Sequence, residues 1–155
     1  MKNMSGAFAI AAVCALCVAV GTSAAGSGTS DVEFTIKKWV GDFNKGDMKH
    51  FLAACAPQVS VVDGFPPYAW PTCADRMKSY RENSEAIQLT AGRIWIGKPA
   101  YAEVTKDRAY MIYPATFSDQ EQGKPVVYRG TWTLTLQKTA SGWVFTGSAS
   151  AWTQH

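Results

Sequence analysis

The sequence predicts a single α+β domain with its helices first and its strands second. Apart from one short strand, apolar residues recur at helical spacing from residue 31 to residue 87. From about residue 88 they alternate as in strands. The two patterns do not interleave, so no βαβ unit is expected. A length of 155 residues, 47% apolar and 17% charged, fits one globular domain and excludes a disordered chain.

The elements follow in order. Ser30-Asp31-Val32-Glu33 fits a capping box, in which Ser30 accepts from the third helical amide and Glu33 reaches back. Val32, Ile36, Trp39, Val40 and Phe43 then form one apolar stripe on a first helix, and Gly46 suits the left-handed position beyond its end. Asp47 caps a second helix with Met48, Phe51, Leu52 and Cys55 on one face, and Pro57 stops it. Val59 to Val62 is a short strand, with Asp63-Gly64 turning out of it. The stretch from Phe65 to Pro71 (FPPYAWP) is expected to be irregular, because three prolines fix φ and remove donors. Thr72 starts a third helix with Asp75 three positions on, and Cys73, Met77, Tyr80 and Ile87 lie near one face.

The strands come next. Ile94 to Ile96 is short. Tyr101 to Thr105 and Arg108 to Phe117 flank a turn at Lys106-Asp107, and Ser118 to Gly123 reads as a polar loop. From Val126 to Leu136 the pattern alternates strongly, with Trp132, Leu134 and Leu136 facing one way and Thr131, Thr133 and Thr135 the other. Trp143 to Trp152 is the last strand of an antiparallel meander.

Residues 1–25 read as a secretory leader: Lys2 is positive, Ala7 to Val20 is an apolar run of 14 residues, and Ser23-Ala24-Ala25 is a cleavage site. The run falls short of the roughly 20 residues that span a bilayer. Residues 26–30 form a linker and residues 31–153 the domain. The protein is therefore expected outside the cytoplasm, secreted or periplasmic, with no membrane span in the mature chain. Cys55 and Cys73 remain after cleavage. In an oxidising compartment they read as one disulfide, with two buried free thiols as the alternative.

The formal charge of +3, without a basic run, is too small to argue for a nucleic-acid partner, and none is expected. Two histidines and scattered acids form no metal-ligand spacing, and there is no phosphate-binding glycine loop or dinucleotide fingerprint. Neither metal nor cofactor is expected. His50 falls off the apolar stripe of its helix, and Arg129 shares the outward parity of the threonines.

Three stretches carry a family resemblance: Trp39 to Asp47 (WVGDFNKGD), Val61 to Gly64 (VVDG), and Gly142 to Phe145 (GWVF) running into Ala151-Trp152. With the order of elements, they make residues 31–153 similar to the SnoaL-like group of the nuclear transport factor 2-like superfamily. The resemblance implies a curved antiparallel sheet wrapped around three helices, forming a cone with an apolar pocket. Members include ketosteroid isomerases, polyketide cyclases, dehydratases and epoxide hydrolases, beside non-catalytic binding and assembly domains. Dimerisation through the sheet is common among them, so a homodimer is implied here. Against ketosteroid isomerases, Asp63 falls on the general-base aspartate. The tyrosine that serves as an oxyanion donor falls on Trp39, and the second, protonated carboxylic acid falls near Trp132.

Asp63 is thus the candidate catalytic residue, a carboxylate at a strand end facing an apolar cavity, where burial raises a carboxyl pKa. Trp39, Phe43, Asp63, Tyr68, Trp70 and Trp132 are the candidate pocket residues, with Trp152 on the last strand. Tyr68 and Trp70 either rim the pocket or pack onto the third helix. The function expected first is binding of a small hydrophobic molecule by an exported domain. The alternatives are a cofactor-free isomerase, cyclase or dehydratase using Asp63 as base, and a protein-interaction module.

Overall fold

The computed structural model describes residues 25–88 and 92–155. Except for Ala25, the expected leader lies outside the described residues. The elements are α1 (Ala25–Asn44), α2 (Met48–Ala53), β1 (Cys55–Val62), β2 (Ala69–Trp70), α3 (Cys73–Ala86), β3 (Arg93–Ile96), β4 (Tyr101–Val104), β5 (Arg108–Glu121), β6 (Lys124–Thr139) and β7 (Gly142–Gln154). The fold is α+β, with three helices on one seven-stranded sheet ordered β2-β1-β7-β6-β5-β3, and β4 also pairing β5.

The sheet is mixed, not the expected antiparallel meander: β1 runs parallel to β7. Residue patterns show which residues share a face but not which strands become neighbours, so this pairing was invisible in the sequence. The β1–β7 register lapses between Cys55 and Ser60. Pro57, expected to stop α2, lies inside that lapse, where its missing N–H costs no ladder bond. Helix α2 ends earlier, at Ala53, and Cys55 belongs to β1.

Helix α1 is described from Ala25 onward, so residues 26–30 are helical and not a linker. Ser30 is inside the helix and is not its cap. Glu33 is paired instead with Lys37, at 3.2 Å. Tertiary contact with β4 supports the small-residue turns that propensity alone disfavours. The apolar stripe lies where expected: Val32, Ile36, Trp39 and Val40 are buried against Met111, Tyr113, Leu134, Leu136 and Phe145 of the sheet. Each such side chain contributes roughly 1.5–3 kcal/mol when fully buried. At the end of α1, the Asn44 amide accepts from the Ile94 N–H at 2.8 Å and donates to its carbonyl at 2.7 Å. The helix is thereby clipped to β3.

Two other expectations are corrected. The polar loop from Ser118 to Gly123 is mostly strand. β5 and β6 continue to the pair Glu121–Lys124, joined by Gln122 and Gly123 with φ of 51° and 76°. Two consecutive positive φ values make the tight turn that a twisted hairpin prefers. The proline-rich segment contains β2, because Tyr68 returns the chain (Asp63 N–H to Tyr68 O, 3.1 Å) and Ala69–Trp70 pair with Val62–Val61. The caps of the short helices are as expected: Asp47 accepts from the His50 amide and Thr72 from the Asp75 amide.

A bulge in β7 decides what faces inward. Thr135 pairs with Gly147, yet Leu136 pairs with Phe145, leaving Thr146 as an extra residue. Inward parity flips there. Trp143 and Phe145 enter the core on one side of the bulge, and beyond it Ser148, Ser150 and Trp152 take their place. Gly130 allows close approach at that end, since a Cβ on it would overlap the Ala151 carbonyl.

Two predictions concern stability. Tyr113 is fully buried, and its hydroxyl has no hydrogen-bond partner among the described residues. Burial, with the Glu33 charge adding, pushes its pKa up to about 12. The unfolded chain would release this proton from about pH 10 upward while the folded chain holds it, so stability falls as pH rises between those values. Tyr113→Phe should leave stability at neutral pH unchanged or raise it by up to about 1 kcal/mol, and should flatten the alkaline loss. Urea midpoints at both pH values check this. Cys55 and Cys73 form a disulfide, with Cα atoms 6.4 Å apart and 18 positions between them. Replacing both by Ala should lower the urea-unfolding free energy by about 3 kcal/mol.

Candidate functional site

Helix α3 is the most polar element of the domain, and only Cys73 and Met77 of it are buried. It cannot seal against an aromatic sheet face, and a cavity of about 620 Å³ lies beside it. Arg76, Met77, Tyr80, Ser84 and Ile87 line one wall at helical spacing. Trp39 and Phe43 of α1 and Phe51 of α2 line a second. Phe117, Tyr128, Trp132, Ser148, Ser150 and Trp152 of the sheet line a third, and Asp63 to Pro66 close the end beyond β1.

Trp39 organises the aromatic wall. Its ring stacks on Phe51 at 4.5 Å and Phe145 at 4.1 Å, and lies 5.1 Å from Trp132. Its Nε1–H donates to the Phe51 carbonyl at 3.0 Å. Trp132 Nε1–H donates to Ser148 Oγ at 2.7 Å. The indole N–H donors of Trp39 and Trp132 are therefore both engaged by the protein.

Asp63 does not stand alone against an apolar wall, as the sequence suggested. Arg76 Nε and Nη2 both donate to its Oδ2, at 3.1 and 2.5 Å, and the Gly64 amide donates to Oδ1 at 2.7 Å. The Arg76 and Asp63 side chains are 17% and 8% exposed. The guanidinium carbon lies 4.1 Å from the Phe65 ring centre, 5.0 Å from Trp70 and 5.7 Å from Tyr80. An arginine so stacked keeps one orientation and loses little further freedom on binding.

Further along α3, the Tyr80 hydroxyl lies 3.4 Å from Oδ2 of buried Asp119. Burial, then the Asp119 charge, raises the Tyr80 pKa, so the phenol is neutral at physiological pH. Asp119 lies behind the cavity wall, not on it.

Of the six candidate pocket residues, Trp39, Phe43, Asp63 and Trp132 line the cavity. Trp70 and Tyr68 do not. Trp70 is buried beneath it with Val59, Val61 and Cys73, and Tyr68 is 57% exposed. His50 is exposed, 2.7 Å from Asp47. Arg76 was missed, although it lies three residues after Cys73 and four before Tyr80, on the face that pattern assigned inward. Ser148 and Ser150 were missed because the β7 bulge resets parity. Among the described residues, no group of three or more His, Cys, Asp or Glu could hold a metal, and no helix is long and apolar enough to cross a membrane.

No family model matches the chain, and no curated protein matches it. Solved structures do. The Kfla4162 protein from Kribbella flavida is similar at a TM-score of 0.71 and 13% identity, over 85% of this chain and 95% of that one. A nuclear transport factor 2-like superfamily protein from Salmonella enterica serovar Typhimurium has a TM-score of 0.69 and 12% identity, over 83% and 92%. A ketosteroid isomerase-like protein from Erwinia carotovora atroseptica has a TM-score of 0.65 and 13% identity, over 82% and 97%. The chain has the nuclear transport factor 2-like fold.

The ion pair gives a stability test. Arg76→Met strands a buried carboxylate and should cost about 3 kcal/mol, the range for breaking a buried pair. Adding Asp63→Asn removes the stranded charge and should recover most of that loss in urea unfolding. Additive losses would show that the two residues are not coupled.

Proposed function

We propose that this protein is an exported binding domain whose cavity holds one small, predominantly apolar molecule. The observation that carries this reading is the cavity itself: about 620 Å³, walled by Trp39, Phe43, Phe51, Phe117, Trp132 and Trp152, with polar side chains such as Asp63, Arg76, Asn83, Ser84 and Ser150 among them. Small-molecule sites typically have this size and this mixture. The Cys55–Cys73 disulfide and the apolar run at Ala7 to Val20 support a location outside the cytoplasm.

The likeness to a ketosteroid isomerase-like structure supports a second reading, in which Asp63 is a general base. Two features weigh against it. The carboxylate is tied to Arg76, and both matching indole N–H groups already have acceptors. Without donors aimed at a developing oxyanion, proton abstraction lacks what is usually its largest catalytic contribution.

Mass spectrometry of protein purified from an oxidising compartment tests the binding reading. The native mass should exceed the denatured mass by that of one small molecule. A native mass equal to the denatured one, unchanged after incubation with extracts of the producing cell, would overturn it. Turnover of such a molecule that Asp63→Asn abolishes without unfolding would favour the enzyme instead.

A further inference from the structure

We infer that the cavity selects an uncharged molecule presenting a hydrogen-bond acceptor, such as a carbonyl or ether oxygen, to Arg76, an inference that rests on the binding reading above. Among the described residues, Asp63 and Arg76 are the only charged side chains lining the cavity. They are paired, so the cavity is neutral as a whole.

The pair is built to stay. Two of the three guanidinium nitrogens are committed to Asp63 Oδ2, and Phe65 covers the guanidinium face. The third, Nη1, donates to no group among the described residues. Among the described residues it belongs to the one cationic donor group lining the cavity, and the Trp39 and Trp132 N–H groups are engaged.

Electrostatics decides which acceptor suits it. A ligand anion reaching Nη1 would lie within a few ångströms of the Asp63 carboxylate, whose charge already balances the guanidinium. It would be buried without net compensation. A cation would meet Arg76 with Asp63 already occupied. A neutral oxygen takes the Nη1 hydrogen without burying new charge, and the rest of the molecule lies against the aromatic wall.

Three naphthalene probes with one kind of ring body test this. Phenylnaphthylamine is neutral, anilinonaphthalene sulfonate adds a negative charge to the same skeleton, and propionyl-dimethylaminonaphthalene is neutral with a ketone. Binding is read from probe fluorescence excited through the tryptophans. Wild-type protein should bind phenylnaphthylamine at least about tenfold more tightly than the sulfonate, and the ketone more tightly still. Asp63→Asn leaves Arg76 unbalanced and should tighten sulfonate binding about tenfold while shifting phenylnaphthylamine less than about twofold. The uncharged Asp63→Asn/Arg76→Met chain should lose about tenfold for the ketone only.

Sulfonate binding as tight as that of the neutral probes in wild type, or no shift in Asp63→Asn, would overturn neutral selection and leave the binding reading standing. Ketone affinity unchanged in the double variant would overturn the role of Nη1. Failure of all three probes to bind wild type would count against the binding reading itself, and the inference would fall with it.

Discussion

Helix α3 is fastened to the sheet at its N-terminal end, and the site depends on that. Cys73 is bonded to Cys55 of β1, Thr72 caps the helix, and Arg76 reaches Asp63 at the far end of the same strand. Both ends of β1 are thus tied to the first turn of α3. Beyond Met77 the helix has too few apolar residues to pull itself onto the sheet, since burial scales with apolar area. Tyr80 is its main aromatic contact there, edge-on to Phe117 at 6.3 Å. A more apolar α3 would close the gap. This polar, tethered one leaves the cavity open.

The same tethering explains why core and cavity share residues. Trp39, Phe51, Met77, Ile94 and Trp132 belong to the buried core cluster and also line the cavity. Such a wall has low freedom, because each indole is held by stacking and by a hydrogen bond to a fixed acceptor. A ligand meeting it does not have to order it. The engaged N–H groups leave aromatic faces and edges toward the cavity, and the polar choice passes to α3 and the end of β1. In the binding role proposed above, the sheet and α1 would supply shape and apolar area, and the Asp63–Arg76 pair would supply direction.

Much of this was legible in the residues, and the failures have physical causes. The α1 stripe, the alternation at Trp132, Leu134 and Leu136, the caps at Asp47 and Thr72 and the left-handed Gly46 are local, so local pattern found them. The disulfide was found from cysteine arithmetic in an oxidising context. The β1–β7 pairing is not local, nor is the contact with β4 that accompanies the helical residues 26–30. The Thr146 bulge defeats period-two reasoning, because one inserted residue exchanges the faces of everything after it. Asp63 was seen as a site residue but without its partner. Arg76 is separated from it by a three-proline segment whose path no periodicity describes.

That partner changes what Asp63 can do. An isolated carboxylate beside an apolar cavity would favour its neutral form and could exchange a proton with a ligand. A carboxylate receiving two guanidinium N–H bonds and one backbone N–H bond has most of its lone pairs occupied, and its charge is balanced in place. To act as a base it would have to give up the arginine, which Phe65, Trp70 and Tyr80 hold from other sides. Asp63 is thus set in a different electrostatic environment from the lone carboxylate that the sequence suggests. A shared fold does not by itself fix the chemistry of a site.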